Sequence, residues 1–323
     1  MDSLLTQLTD AFALAQQWLF ESAFQPLIFA AGMGGHVETG FEASGWFLVG
    51  LLQLLVLLLV IGPLQRLFPV EPVLDQATIR TDVLYTLIHR LGFFRLGLFL
   101  TIDPLLDTAF GALRTQGVGT FHLDQWAFGM IGLESALLGF LLYLIVFDFA
   151  DYWIHRGQHQ LNWWWQLHSL HHAQRQMTMW SDNRNHLLDD LLRDTLLVCV
   201  GVAVGIAPGQ FVALVALTQL SESFQHANVK IWFGRVGERL WVSPRFHRLH
   251  HAIGIGHESP NKVLGGHNFG VLLPWWDMLF RTGNFEKRFD PTGVRDQVEA
   301  GRNYGAGFWQ QQWLGLKRLA DRT

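Results

Sequence analysis

Apolar residues come in long blocks along this chain, and the few polar interruptions decide how each block is read. Gly45 to Gly62 (GWFLVGLLQLLVLLLVIG) carries no charge. At a rise of about 1.5 Å per residue it covers most of a hydrocarbon layer of about 30 Å, which predicts a membrane-spanning helix. A second block, about Val83 to Ile102, predicts another span although it holds His89, Arg90 and Arg95; these must face protein or reach for the interface. A third runs from about Trp126 to Phe149 and is broken only by Glu134 before Asp148 and Asp151 close it. Leu191 to Leu220 is apolar apart from Arg193 and Asp194, but Pro208 and Gly209 divide it, which predicts a short helical hairpin entering the membrane. Residues 11–31 are less apolar and suit the interface. Near the end, Phe308, Trp309, Trp313, Leu316 and Leu319 or Ala320 recur at helical spacing, so the tail is an amphipathic helix whose partner, protein or lipid, stays open. The expected fold is all-α, a polytopic membrane helical bundle with a cytosolic histidine-rich helical cap. Residues 1–140 form the membrane-spanning region, 141–285 the catalytic region with its hairpin at about 191–220, and 286–323 the tail.

Composition agrees with a membrane solvent. Half of the 323 residues are hydrophobic and 15% are charged, against about 25% charged in soluble domains. The net charge of -4 and the lack of a basic stripe set nucleic acid aside. Cys199 is the single cysteine, so neither disulfides nor a thiolate metal site is available. The first 65 residues contain no Lys or Arg, so no cationic secretory leader is expected. Eighteen of the 23 basic residues follow residue 150, which predicts an outside N-terminus and a cytoplasmic histidine-rich region. Fourteen tryptophans, among them Trp163–Trp165 and Trp275–Trp276, suit an aromatic belt at the headgroups.

Twelve of the 15 histidines lie between His155 and His267. His155 and His159 are four residues apart and share a helical face. His168, His171 and His172 combine spacings of three and four, and His247, His250 and His251 repeat that pattern. Eight imidazoles are too many for one ion, while two ions with four or five nitrogens each would use them all, with His186 and His226 as the further ligands. Packed imidazoles without metal would repel when protonated and waste polar groups when neutral. The isolated His36, His89 and His122 are read as satisfied core residues, and His257 and His267 stay undecided. HESPN at His257 is not a zinc-protease motif, since its fifth residue is Asn261.

Imidazole suits zinc, copper, iron and nickel alike. Ten nitrogen ligands at a lipid interface favour a redox pair over a zinc site, which closes with four ligands or works with three and water. A membrane zinc-dependent hydrolase or isomerase is the alternative, and a metal transporter or haem protein is a more distant one. Asp151 and Glu222 each stand four residues before a ligand and are expected to support it from behind. Because GMGGH at Gly32–His36 lacks the context of a dinucleotide fingerprint, electrons should come from a separate ferredoxin or cytochrome.

The successive segments DFADYWIHRGQH, WWQLHSLHH, NRNH, FQHAN, SPRFHRLHH and NFG…PWWDMLF, over about residues 140–285, resemble the fatty acid hydroxylase superfamily, which includes sterol desaturases, sterol methyl oxidases, sphingolipid hydroxylases and alkylglycerol monooxygenase. Leu187 after His186 and Gly266 before Asn268 depart from the family's usual Pro and Asp. The resemblance implies a helical membrane enzyme with two iron ions and dioxygen as co-substrate, hydroxylating or desaturating a lipid C–H bond. It also gives Asn228 and Asn268 supporting places around the ligands. No catalytic residue beyond the metal ligands is expected.

Overall fold

The computed structural model describes residues 2–117, 119, 121–132, 134–258 and 263–321. Among them all regular structure is helical, apart from two isolated bridges, Ala252 with Thr292 and Glu258 with Leu264. The helices are α1 (Asp2–Leu19), α2 (Gln25–Ala30), α3 (Val37–Val56), α4 (Gly62–Leu67), α5 (Gln76–Arg90), α6 (Phe93–Thr115), α7 (Leu123–Ile131), α8 (Ala136–Gln160), α9 (Asn162–His172), α10 (Leu187–Val204), α11 (Pro208–His226), α12 (Gly234–Gly237), α13 (Pro244–His250), α14 (Trp275–Leu279), α15 (Arg295–Glu299) and α16 (Phe308–Asp321). Three helical stretches are long and apolar enough to cross a membrane: Gly34–Leu67, Phe93–Thr115 and Ala136–Gln160. The chain is a helical membrane protein.

These boundaries correct two of the expected spans. The block from Val83 to Ile102 is cut at Gly92, whose φ of 77° ends α5, so the membrane-length helix is the later α6. The block from Trp126 to Phe149 is cut at Gly132, which caps α7 in the left-handed region, and Ser135 starts α8 by accepting from the Leu138 amide at 3.4 Å. Glycine tolerates that backbone without a Cβ clash. The Pro208 division stands: α10 ends on left-handed Gly205 and α11 opens with Pro208.

Two compact units result, Met1–Val56 with Leu87–Leu113, and Leu57–Thr86 with Arg114–Thr323. In the first, Gly50 lies against the chain at Arg90: a Cβ there would stand 1.5 Å from the Arg90 carbonyl oxygen. That close approach lets buried Arg90 donate to Gln53 Oε1 at 3.3 Å, while Arg95 lies over the Trp46 ring at 5.2 Å. The cations in the apolar block are therefore held by protein partners.

The second unit carries all the clustered histidines. Its core joins Tyr143, Leu144, Phe147 and Ile154 of α8 to Leu197 of α10, Leu214 of α11 and Val271–Leu273 of the late loop. Asp148 of α8 accepts from the amides of Leu272 and Leu273 at 2.7 and 3.1 Å and from Trp276 Nε1 at 2.9 Å, pinning that loop to the helix. The tail helix α16 packs on α9. It buries Phe308, Gln312 and Arg318 and turns Trp309 and Trp313, 81% and 65% exposed, outward. Arg318 Nε donates to the Gln166 carbonyl at 3.1 Å.

Candidate metal centre

Four helices bring the ligands together. The last turns of α8 supply His155 and His159, α9 supplies His168, His171 and His172, α11 ends on His226, and α13 supplies His247 and His250 with His251 just beyond it. The spacings of three and four keep each helix's contribution on one face. The result is two sets of buried imidazoles, His155, His159, His168 and His172, and His171, His226, His247 and His251, each offering ligand nitrogens within 4.8 Å of one another. His250 joins them, with its ring centroid 4.5, 4.7 and 4.7 Å from those of His155, His159 and His172.

Hydrogen bonding fixes which nitrogen of several rings faces inward. A carbonyl or carboxylate oxygen can only accept, so a ring nitrogen bonded to one must carry the proton and the other keeps its lone pair. His155 Nδ1 donates to the Phe269 carbonyl at 2.9 Å, His168 Nδ1 to Asp189 Oδ2 at 2.9 Å, His226 Nδ1 to the Glu222 carbonyl at 2.8 Å, and His250 Nδ1 to the His267 carbonyl at 2.8 Å. Nε2 is therefore the ligand atom in all four. His226 Nε2 then faces His171 Nε2 at 3.1 Å and His247 Nε2 at 3.0 Å. His159 and His172 have no hydrogen-bond partner on either nitrogen, and the Nε2 atoms of His168 and His250 are equally unpartnered. Buried polar groups are seldom left so. Convergent, unpartnered imidazole nitrogens are what a divalent metal needs and what nothing else here satisfies, so the residues fit metal binding.

Burial first, and repulsion from neighbouring imidazoles second, hold His171, His172, His247, His250 and His251 well below the ordinary histidine pKa. These five rings are thus neutral at physiological pH, the form that binds metal.

His186 is not brought into either set. Its Nδ1 accepts from the Leu188 amide at 3.1 Å, so its Nε2 carries the proton and donates to the Gln312 carbonyl at 2.9 Å. Both nitrogens are used in capping α10 and docking α16, and a Cβ on Gly315 would come within 2.2 Å of the ring. His257 stacks on Trp165, and burial pushes its pKa down to about 4.

The expected supporting residues also find other work. The carboxylates of Asp151 and Glu222 both go to Arg193, at 2.9 and 3.2 Å, and it is the Glu222 backbone carbonyl that accepts from His226. Asn228 holds the chain at Val70 and Glu71. Asn268 adopts a left-handed φ of 61° and donates to the Phe246 and Asn284 carbonyls at 2.9 and 3.1 Å. Through that turn the carbonyls on either side of it, His267 and Phe269, reach His250 and His155.

Asp189 is the supporting residue that the histidine spacing does not disclose. It accepts from His168 Nδ1, from Gln158 Nε2 at 2.7 Å and from Trp164 Nε1 at 2.7 Å. Replacing it by asparagine keeps the shape but removes the charge that orients His168. Metal affinity is expected to fall by about 10–100-fold, measured by competition with a chelator of known affinity; an unchanged affinity would show that His168 is positioned by packing alone.

Residues 140–282 match the family model described as fatty acid hydroxylase, and every clustered histidine lies inside that stretch. This part of the chain is a fatty acid hydroxylase domain. Over 289 residues the chain is 26% identical to ornithine lipid hydroxylase OlsE of Rhizobium tropici, covering 87% of this chain and 81% of that protein. It is 25% identical to the alkylglycerol monooxygenase of Caenorhabditis elegans over 45% of this chain and 26% of the relative. It is 24% identical to human lathosterol oxidase over 63% of this chain and 65% of the relative. The chain thus spans less than two thirds of the latter two. No solved structure matches.

Proposed function

We propose that this chain is a multi-pass membrane oxidoreductase whose histidine sets hold two iron ions and which uses O2 to hydroxylate or desaturate a lipid C–H bond. The observation that carries this reading is the pair of adjacent, buried imidazole sets with Nε2 lone pairs turned inward. Two ions with nitrogen ligands only, beside membrane-length helices and with lipid-oxidising relatives, suit oxygen chemistry on an inert bond rather than hydrolysis. When bound, the metals would activate O2. Hydroxylation places one oxygen atom on carbon and releases the other as water, taking up two electrons and two protons; desaturation removes two hydrogens and yields two waters from the same inputs.

The protein's own groups supply the rest. The first-set residues His155, His159, His168 and His172 with His250, and the second-set residues His171, His226, His247 and His251, would hold the ions. Asp189 and the Phe269, Glu222 and His267 carbonyls hold the rings in the ligating tautomer, and burial of the ligands keeps bulk water out. With no dinucleotide fingerprint in the sequence, a separate ferredoxin or cytochrome is the proposed electron source. The basic bias after residue 150 supports a cytoplasmic face for the site.

Purified protein is expected to contain close to two irons per chain and, with a reducing partner, to consume O2 as an oxygenated or unsaturated lipid appears. Zinc alone, with no O2 uptake after iron reconstitution, would favour the hydrolase or isomerase reading instead.

A further inference from the structure

Segment 230–241, which joins α11 to α13, is tied to two of the membrane-length helices. The Lys230 amide donates to the Phe68 carbonyl at 2.7 Å, just past the span that ends at Leu67. Phe233 stacks on Phe224 with ring centroids 6.3 Å apart, and Trp241 Nε1 donates to Ser221 Oγ at 2.9 Å, so the segment folds back along the last two turns of α11. The Val242 amide then donates to the Leu272 carbonyl at 2.8 Å, and Asp148 of α8 holds Leu272 in turn. Asp148 stands about two turns before His155, toward the apolar start of α8. The segment therefore lies on the membrane side of the ligands.

Its outward side chains are of two kinds. Val236 and Leu240, 72% and 54% exposed, stand one helical turn apart across α12 and the turn after it, and Trp232 precedes them at the same interval. Lys230, Arg235, Arg239 and, from the stretch 285–290, Lys287 are exposed around them. Lys287 Nζ lies 3.9 Å from the Trp232 ring centroid and the Arg239 guanidinium 4.8 Å from that of Phe285, which joins cations and apolar residues in one patch. Among the described residues none of these four cations is paired with an acid. The acids of the two stretches are committed elsewhere: buried Glu238 accepts from Arg245 Nε at 3.0 Å, and Glu286 and Asp290 pair with Arg288 at 3.0 and 2.6 Å.

Apolar tips ringed by unpaired cations, at the depth where helices leave a bilayer, suit a segment lying in the headgroup layer: the tips reach the acyl boundary and the cations meet phosphates. The tethers decide between a bilayer and a soluble acidic protein, because a soluble partner reaches the face turned away from the spans. We infer that segment 230–241 lies in the headgroup layer with Trp232, Val236 and Leu240 immersed, and that Lys230, Arg235, Arg239 and Lys287 gather anionic phospholipids there. Glu238 also accepts from Ser243 Oγ, the cap of α13, at 2.6 Å, so the gathered lipids stand beside the helix that carries His247 and His250. Nothing in this depends on metal chemistry, so loss of the lipid-oxidase reading would leave it standing.

Spin labels on Val236→Cys and Leu240→Cys, in a Cys199→Ala background, measure depth in the full chain reconstituted into phosphatidylcholine–phosphatidylglycerol liposomes. Collision with oxygen is expected to exceed collision with a water-soluble nickel chelate, whereas a label on Glu299→Cys, exposed on α15, is expected to show the reverse. Nickel collisions dominating at positions 236 and 240 would overturn the inference and favour a soluble acidic protein as the occupant. Spin–spin broadening at those positions would overturn it in favour of a second copy. The charges are tested by titrating the purified chain with dihexanoyl-phosphatidylglycerol and its phosphatidylcholine counterpart. The anionic lipid is expected to bind better, and to weaken at least about fivefold in Arg235→Gln/Arg239→Gln, the worth of one basic residue at an anionic surface. Tm checks folding, and Lys230→Gln/Lys287→Gln is the second pair should the first fail to fold. Equal binding of the two lipids, or binding unchanged in a folded variant, would overturn the role of the cations.

Discussion

His172→Ala is expected to leave at most one metal per chain and to lower lipid oxidation at least about a hundredfold, beyond what loss of a supporting group costs. His172 is the residue that two groupings share: it stands with His155, His159 and His168, and again with His250 and His251. Its ring is 4.6 Å from that of His159 and stacks on His251 at 4.2 Å. Both of its nitrogens are buried and unpartnered. Removing it therefore opens the seam between the sets rather than one edge of one set. Elemental analysis with product quantification checks this, and exposed His36→Ala supplies the control, expected to behave as the parent. A His172→Ala protein with its full metal content and turnover would place the centre elsewhere.

Stripping the metal is expected to destabilise the fold, and acid to deepen the loss. Each unpartnered buried nitrogen costs about 1–3 kcal/mol, and in the second set the Nε2 atoms of His226, His171 and His247 face one another at 3.0–3.1 Å. A cation offsets both costs. The sign of the pH effect follows from the folded pKa values, which burial lowers. Above about pH 6.5 these histidines are neutral in both states and contribute no pH dependence. As pH falls below that value the unfolded chain takes up protons that the folded chain refuses, so stability drops, by about 1.4 kcal/mol per pH unit for each such histidine. His257 extends the window down to about pH 4. Thermal unfolding in detergent at pH 7.5 and 5.5, with and without chelator, reads this out. The chelated protein is expected to melt about 10 °C or more below the loaded one, since each kcal/mol moves Tm by about 2–4 °C in a large domain. Equal Tm values with a flat pH profile would refute it.

The parts of this architecture that depend on local spacing are legible in the sequence. Histidines three and four apart are placed on one face by helix geometry alone, so the three clusters and their convergence follow from order and spacing. The tautomers do not, because they depend on oxygens far along the chain: Phe269 for His155, Asp189 for His168, Gln312 for His186. This is why His186, which sits among family-like residues, reads as a ligand until Leu188 and the tail helix are seen to occupy both nitrogens. Asp189 escapes notice for the same reason. In the first turn of an apolar helix it looks like an acid placed against the helix dipole, and only tertiary folding sets it beside α9. The span boundaries were displaced by single glycines, Gly92 and Gly132, whose left-handed backbone interrupts a block that hydropathy treats as continuous.

The docking of α16 on α9 has a consequence for biosynthesis. The helix that carries three of the clustered histidines is braced by a helix translated well after it, through Arg318 on the Gln166 carbonyl. All nine imidazoles are translated before that brace exists, so the nascent chain carries every ligand while the scaffold that aligns them is still incomplete. Metal loading therefore belongs after α16 has docked, and a stop codon ahead of Phe308 would yield a polypeptide with a full set of donors and a slack coordination cage.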